Sequence, residues 1–204
     1  MSKSAQDIFQ VIYDTKKWGD TGEGSGGGSV LERCVPLIRW LKHYIAENSI
    51  KSMVDIGCGD LQWIPTLIEQ TGIQYTGIDC VPRLIEAHRK AYSTMTFIHS
   101  DLTQSVNVIP PADLYFIKDV FQHWPTGTIA EFVKKLRAAV PPGAHILTCD
   151  DYGLGRGNHD IEIGDWHPLH ETTPPMNAIP HTQEYMFNPT GEGWNNKNVI
   201  RIRV

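Results

Sequence analysis

The chain has 204 residues, a length that suits one domain, or one domain with an appended arm, rather than two full-size domains. Hydrophobic residues (41%) and charged residues (20%) are near the globular average, so we expect the chain to fold around its own core. A net charge of −5 argues against duplex nucleic acid, whose phosphates require a broad basic surface. No apolar stretch approaches a membrane span and no signal-peptide core follows the N-terminus, which indicates a cytoplasmic protein.

The four cysteines are widely spaced and include no Cys-x-x-Cys pair. This pattern predicts neither a zinc site nor a disulfide framework. We expect all four thiols to be reduced and mostly buried, as free cysteines usually are. They are Cys34, Cys58, Cys80 and Cys149.

The N-terminal region begins with a helical spacing of apolar residues over 7–17 and continues into a glycine-rich segment over 18–29. The glycine-rich composition is typical of a flexible linker, but its place before the first strand also suits a lid. A second helix is predicted up to about Asn48, with Ser29 and Glu32 in a capping-box pattern. Pro36 leaves two alternatives open, a kink at this residue or a helix that starts with Pro36 in its first turn.

From residue 52 onward, short apolar segments alternate with helical patterns. Strands are predicted at 53–56, 74–78, 95–98, 113–117 and 144–148, and helices at 61–70, 82–91 and 129–140. This alternation predicts a Rossmann-like, doubly wound, mostly parallel α/β sheet with helices on both faces. The alternating run 198–204 predicts a final antiparallel strand, and a weaker strand is predicted at 184–187.

The first predicted strand ends in a Gly57-Cys58-Gly59 turn. Such a turn lets the backbone approach a ligand closely, because glycine has no Cβ. A dinucleotide fingerprint requires a third glycine three positions later, where this chain has Gln62. Asp55, just before the turn, suits a ligand with a cationic amino group rather than a phosphate.

Acidic residues recur at the carboxyl ends of the predicted strands, where ligands of parallel sheets bind. Asp79 lies 22 residues after Gly57, and Asp101 follows Asp79 by the same interval. A carboxylate at the position of Asp79 can accept two hydrogen bonds from a ribose diol. Asp119 follows the fourth strand. Turns and helix caps explain any one of these residues but explain the joint pattern less well.

These motifs resemble those of the class I S-adenosylmethionine-dependent methyltransferases. The resemblance covers about residues 52–150 and rests on Asp-Ile-Gly-Cys-Gly at 55–59, Gly-Ile-Asp at 77–79 and Ser-Asp-Leu at 100–102. It implies S-adenosylmethionine as cofactor and a small-molecule acceptor that is methylated on oxygen or nitrogen. The implied cofactor-binding residues are Trp18, Asp55, Gly57, Cys58, Gly59, Asp79, Cys80, Asp101, Leu102 and Lys118.

Within this resemblance, Asp55, Gly57 and Gly59 hold the methionine part, Asp79 binds the ribose hydroxyls, and Asp101 with Leu102 frames the adenine. One domain over 1–204 follows, with an N-terminal helical arm and glycine-rich loop over 1–50. A cofactor-binding core covers 51–150, and an active-site cover segment with terminal strands covers 151–204.

Lys118 and Asp119 match the family's fourth motif, next to the sulfonium and the acceptor. Many nucleic-acid and protein amino methyltransferases have Asn/Asp-Pro-Pro-aromatic at this place, and the departure here argues against amino-group methylation of DNA bases. Asp119 and His123 are the predicted catalytic residues, because residues four apart on a helical turn share a face. A base is needed only for an acceptor that is protonated at neutral pH.

Residues 150–183 have no clear periodicity, which is unusual for a connection inside a compact domain and favours a functional role. Together with the glycine-rich loop, this segment is predicted to form a mobile cover, with Trp18 and Trp166 shielding the sulfonium; core packing of both rings is the alternative. Its histidines match no standard ligand spacing, so no metal is expected. Trp-Gly at 18–19 and Gly-Asp-Trp-His-Pro-Leu at 164–169 resemble a compact, mostly uncharacterised subgroup of these enzymes.

Two other functions fit the sequence less well. The first is a nicotinamide-dependent oxidoreductase, which the missing third glycine at Gln62 disfavours. The second is a non-catalytic protein that retains a cofactor-binding fold as a partner or regulator. A water-shielded acceptor pocket beside Asp119 would distinguish an enzyme from such a protein.

Overall fold

The computed structural model describes residues 3–153, 159–189 and 195–204. Within these ranges the α-helices are α1 (Ala5–Asp14), α2 (Leu31–Glu47), α3 (Ile64–Thr71), α4 (Pro82–Ala91) and α5 (Thr126–Ala139). The strands in the same ranges are β1 (Ser52–Ile56), β2 (Gln74–Asp79), β3 (Thr96–His99), β4 (Leu114–Lys118), β5 (His145–Asp151), β6 (His181–Phe187) and β7 (Lys197–Ile202). Residues 154–158, part of the predicted cover segment, lie outside the described residues.

The described strands form one sheet of seven in the order β3-β2-β1-β4-β5-β7-β6. Strands β1 to β5 are paired in parallel, and β7 is antiparallel to both β5 and β6. The predicted fold class is therefore confirmed, including the antiparallel strand near the C-terminus. The weaker predicted strand is also present and begins earlier, at His181.

Helices cover both faces of the sheet because successive strand residues point to opposite sides. In β4, Tyr115 and Ile117 belong to the apolar cluster that contains residues of α1 and α5. Leu114 and Phe116 belong to the cluster formed with α2 and α3. A central strand buried on both faces reads as a continuous apolar run, which is why β4 was recognisable in the sequence.

Chain direction brings the start of β7 to the functional edge of the sheet. The parallel strands all end at the same edge, so the residues that follow β1, β2 and β4 meet there. Because β7 runs the opposite way, its first residue, Lys197, pairs in register with Asp151 at the end of β5. A lysine near the C-terminus thus joins the acidic residues at the carboxyl ends of the strands.

The predicted starts of α2 and α3 were wrong. The N-cap of α2 is Val30, and no side chain caps this helix. Ser29 instead closes a 3₁₀ turn, in which its backbone N–H donates to Gly26 O at 3.1 Å. Pro36 is the sixth residue of α2, so the helix does not begin with this proline in its first turn. Helix α3 begins three residues later than predicted, after Leu61 in a left-handed conformation with φ of 59°.

The arm before the sheet has a capping box that the sequence reading missed. Ser4 Oγ accepts the Asp7 backbone N–H at 3.1 Å, and the Asp7 carboxylate accepts the Ser4 N–H at 3.1 Å. Helix α1 therefore starts at Ala5 rather than at residue 7. All four cysteines are free; three are buried and Cys80 is half-buried. Among the described helices, none has the length and apolar character needed to cross a membrane.

Candidate functional site

Two adjoining pockets open at the carboxyl edge of the sheet. The first pocket encloses about 570 Å³ and lies beside the ends of β1, β2 and β4. Its walls include the predicted residues Asp79, Cys80, Asp101 and Leu102. Ala5 and Phe9 of α1 form another side, so the N-terminal arm lies against this pocket.

The second pocket encloses about 900 Å³ and lies toward β5 and β7. Its walls include the predicted residues Asp55, Cys58, Gly59 and Lys118. The two pockets share five lining residues, namely Tyr13, Trp18, Gly57, Asp119 and His123. All twelve predicted site residues thus line one pocket or both, and the two pockets meet at the predicted catalytic pair.

The glycine turn after β1 has no room for side chains. Gly57 and Gly59 have φ values of 72° and 57°, in the left-handed region that favours glycine. A Cβ on Gly57 would lie 2.4 Å from Val120 Cγ2, and one on Gly59 would lie 2.6 Å from Ser25 Oγ. The side chains of Val120 and Ser25 thus pack closely against these glycines, and Gly57 lines both pockets.

Two buried carboxylates flank this turn. Asp55 accepts a hydrogen bond from Tyr75 Oη at 2.8 Å, and burial raises the pKa of Asp55 to about 7. Asp79 accepts the backbone N–H groups of Gly59 and Val81, both at 2.9 Å. Burial raises the pKa of Asp79, although these two hydrogen bonds oppose the shift. A cationic ligand beside either carboxylate would favour its ionised form.

Asp101 lines the first pocket. Its Oδ1 accepts both the N–H of Thr103, at 3.0 Å, and the Thr103 hydroxyl, at 2.6 Å. These hydrogen bonds hold the loop after β3 in a turn, and Leu102 is buried beside it. Asp101 therefore stabilises a turn, as aspartates after strands commonly do, and it also lines the pocket.

Lys118, Asp119, Asp151 and Lys197 form an ion cluster that lines the second pocket, in which both lysines are buried and both aspartates are half-buried. The Asp119 carboxylate pairs with the ammonium groups of both lysines. Lys197 also pairs with Asp151 at 2.6 Å, and Lys118 donates to the Gly28 carbonyl at 3.1 Å. Two positive and two negative charges balance each other, which offsets the cost of burying them.

Asp119 is held in an unusual conformation by this cluster. Its φ of 57° is uncommon for a residue with a side chain. Burial by itself would raise the pKa of Asp119, but Lys118 and Lys197 hold this pKa well below its usual range. Asp119 is therefore an ionised carboxylate with little tendency to take up a proton at neutral pH.

His123 has the properties of a neutral base. Its Nδ1 lies 2.7 Å from the carbonyl oxygen of Asp165, and a carbonyl only accepts hydrogen bonds. Nδ1 therefore carries the proton and Nε2 keeps its lone pair. Burial lowers the pKa of His123, although the bond to Asp165 opposes the shift. The imidazole stacks on Trp18 with ring centroids 4.4 Å apart.

The glycine-rich loop is attached to the glycine turn through Asp60. The Asp60 carboxylate accepts the backbone N–H groups of Glu23, at 2.9 Å, and Ser25, at 3.3 Å. In return, Ser25 Oγ accepts the Asp60 N–H at 3.0 Å and also contacts Tyr13 Oη at 2.8 Å. Part of the glycine-rich loop, residues 25–29, therefore forms a wall of the second pocket, although its composition alone is typical of a flexible linker.

Sequence reasoning missed several residues of the site. Asp151 follows the same rule as the predicted acidic residues, since it ends β5 at the carboxyl edge, and that signal was available. Asp60 belonged to the recognised Gly-Cys-Gly-Asp run but received no role. Lys197 gave no local signal, because only strand order and direction bring it to the site. Within the described residues, no group of three or more His, Cys, Asp or Glu side chains is arranged to hold a metal ion.

Comparison with known proteins identifies the central part of the chain. Residues 53–143 match the family model for a methyltransferase domain. O-methyltransferase FrzF of Cladobotryum sp is 32% identical over 121 residues, which cover 54% of this chain and 27% of that protein. The chain thus spans about a quarter of the length of that curated relative.

Solved structures with the same fold extend over the whole chain. The DhpI-SAM-HEP complex has a TM-score of 0.66 at 15% identity, with 100% of both chains covered. Magnesium protoporphyrin IX methyltransferase (ChlM) from Synechocystis PCC 6803 with bound SAH has a TM-score of 0.65 at 13% identity, with 98% of both chains covered. At these identities the likeness establishes the fold. With the family match, it confirms the resemblance that the motifs indicated, while the compact subgroup remains a prediction.

Proposed function

We propose that this chain, whose residues 53–143 match the family model for a methyltransferase domain, transfers a methyl group from S-adenosylmethionine to an oxygen or nitrogen atom of a small molecule. The cofactor occupies the first pocket and the start of the second, and the acceptor occupies the rest of the second. The observation that carries this proposal is the junction of the two pockets at Asp119 and a neutral His123.

The residues present fit S-adenosylmethionine. Gly57 lines both pockets and Gly59 lines the second, which places the glycine turn at the proposed cofactor site. Asp79 would accept the ribose hydroxyls, and Asp101 lies where the adenine would sit. Asp55 would face the methionine ammonium, and this positive charge would lower the raised pKa of its carboxyl group. Trp18, Cys58, Cys80, Leu102 and Lys118 complete the walls.

When bound, this cofactor supplies an activated methyl group on a sulfonium. The chain must align the acceptor and exclude water. Trp18 and His123 form a flat stacked wall at the junction of the pockets, and Trp166 lines the second pocket at its outer side.

His123 is the residue that we assign as general base. Its Nε2 lone pair accepts only a long hydrogen bond of 3.5 Å from the Gln122 amide, whereas Asp119 is occupied by two ammonium groups. A base is useful for an acceptor that holds a proton at neutral pH, such as a hydroxyl group. A protonated amine needs such a base as well, so His123 by itself does not select the methylated atom. The choice of oxygen over nitrogen rests on similarity to a named relative, the O-methyltransferase FrzF.

The alternatives are less well supported. The second pocket lies beside Asp119, at the place where an enzyme needs space for an acceptor, so a purely non-catalytic role is disfavoured. Gln62 lies in the loop before α3 and donates to the Asp60 carboxylate at 3.0 Å, where a dinucleotide fingerprint has glycine. The acidic net charge favours a small-molecule acceptor over nucleic acid.

The test is methyl transfer to pooled hydroxylated metabolites, with release of S-adenosylhomocysteine as the signal. We expect release that depends on an acceptor and on His123. His123→Gln should lower the rate about 10²- to 10⁴-fold, the usual contribution of general base catalysis. His43→Gln, an exposed histidine on α2, is the matched control and should leave the rate unchanged. Equal rates in both variants would remove His123 from the mechanism.

A further inference from the structure

Residues 164–167 make three hydrogen bonds with Gln122 and His123. The Gly164 N–H donates to the His123 carbonyl at 2.9 Å, and the His167 N–H donates to the Gln122 carbonyl at 3.0 Å. Between these two bonds, the Asp165 carbonyl accepts the Nδ1–H of His123 at 2.7 Å. The backbone of this segment thus orients the imidazole at Nδ1, while Trp18 stacks on its face and the Gln122 amide lies 3.5 Å from its Nε2.

The segment is attached to the ion cluster through Trp166. Its indole Nε1–H donates to Asp151 Oδ2 at 3.0 Å, while Asp151 Oδ1 pairs with Lys197 at 2.6 Å. Trp166 is nevertheless 44% exposed, an unusual state for so large an apolar side chain. Its position thus owes more to this hydrogen bond than to core packing.

A second attachment is at Gly164, next to helix α1. Gly164 has a φ of 86°, and a Cβ there would lie 2.7 Å from Ile8 Cγ2 and 2.9 Å from Ile12 Cδ1. The segment therefore packs tightly between α1 and the loop that carries His123. A side chain at this position would push the segment away from one of the two.

We propose that residues 164–167 form a positioning clasp, which keeps the proton of His123 on Nδ1 and leaves Nε2 as an acceptor, with Trp166 and Asp151 as its anchor. The catalytic use of this arrangement rests on the proposed function, but the arrangement itself does not. Without the clasp, Nδ1 loses its acceptor and the ring is free to carry the proton on Nε2. In that tautomer Nε2 is a donor and no longer a base.

The experiment is nitrogen NMR of the histidine rings in the full chain, which distinguishes protonated from unprotonated nitrogens without any acceptor. Comparison with His123→Gln assigns the signals of His123. In the wild type, Nδ1 should be protonated and Nε2 unprotonated at pH 7. Trp166→Phe keeps the ring but removes the Nε1–H donor, so the two nitrogen signals should move toward each other as the tautomers mix. The loss of one hydrogen bond corresponds to about a tenfold change in the tautomer ratio.

Two matched controls separate the clasp from general disturbance. Asp165→Asn changes an exposed side chain but keeps the carbonyl, and its spectrum should match that of the wild type. Gly164→Ala should shift the His123 signals strongly. Gly143→Ala should not, since Gly143 has nearly the same φ, 84°, but nothing lies within 4 Å of the added Cβ.

Unchanged His123 signals in both Gly164→Ala and Trp166→Phe would overturn the clasp. A shift in Gly164→Ala alone would overturn the anchoring role of Trp166. Calorimetric titration of the same samples with S-adenosylhomocysteine reports on the proposed function separately. An altered tautomer in a protein that does not bind this ligand would support the clasp and contradict the cofactor assignment.

Discussion

Asp150, near the end of β5, has a buried carboxyl group. It is 4% exposed, and its Oδ1 accepts the Gln122 N–H at 3.3 Å. Its Oδ2 and the Oδ1 of Asn198, its register partner on β7, both lack a hydrogen-bond partner among the described residues. Burial, with a smaller contribution from Asp119, raises the pKa of Asp150 to about 7 from an ordinary value of 3.8.

The direction of the effect on stability follows from proton binding. Below about pH 4, the carboxyl group is protonated in both the folded and unfolded states and has no effect. Between about pH 4 and pH 7, the unfolded chain releases the proton while the folded protein keeps it, so the free energy of unfolding falls as pH rises. A difference of about three pKa units corresponds to about 4 kcal/mol above pH 7. Asp150→Asn has no proton to release, and its amide could donate to Asn198.

The assay is urea unfolding of the wild type and of Asp150→Asn at intervals from pH 5 to pH 8. The variant should gain stability relative to the wild type as pH rises, by a few kcal/mol in total. Asp113→Asn is the flat control. Backbone N–H groups of residues 51 and 52 lower the pKa of that exposed carboxyl group below its ordinary value of 3.8, so it is ionised in both the folded and unfolded states from pH 5 to pH 8, and the stability difference from the wild type should not change with pH. If the difference in free energy of unfolding between Asp150→Asn and the wild type does not change with pH over this range, Asp150 is not a buried, protonated carboxyl group and the reasoning is refuted.

Three further predictions concern the cofactor site and its cover. Asp79→Ala should weaken S-adenosylhomocysteine binding about 10- to 100-fold, as charge-assisted hydrogen bonds to the ribose are lost, and calorimetry measures this. Asp79→Ala should also lower the free energy of unfolding, because the backbone N–H groups of Gly59 and Val81 lose their acceptor. Asp60→Ala should increase amide hydrogen exchange in the glycine-rich loop, since two loop N–H groups lose their acceptor; exchange rates equal to those of the wild type would contradict the attachment described above. Ligand binding should protect residues 18–29 and the described part of 150–170 from exchange, and protection confined to the glycine turn would contradict a mobile cover.

The sheet was predictable from the sequence because its signals are local. Each strand is a short apolar run, and Gly72 or Pro82 marks the boundary of a helix. Helix α4 was predicted with its observed bounds, since proline at its first position fixes the start. Element boundaries that depend on tertiary contacts were missed. Ser29 resembled an N-cap, but the preceding glycines form a turn that places it outside the helix.

The candidate site was predictable only in part for the same reason. Residues on consecutive strands share one edge by the geometry of a parallel sheet, so Asp55, Asp79 and Asp119 were found together. Lys197 reaches the same edge through a strand inserted between β5 and β6, and no local pattern records that order. The carbonyl of Asp165 was also inaccessible to sequence reasoning, since any residue provides one. Its place beside His123 depends on the path of an irregular segment.

The central claim is that the pocket at the glycine turn binds S-adenosylmethionine. Isothermal titration calorimetry of the full chain with S-adenosylhomocysteine, and separately with NAD, tests it most directly. The account predicts saturable binding of S-adenosylhomocysteine at one site, weakened in Asp79→Ala, and no binding of NAD. Saturable binding of NAD without any response to S-adenosylhomocysteine would contradict it.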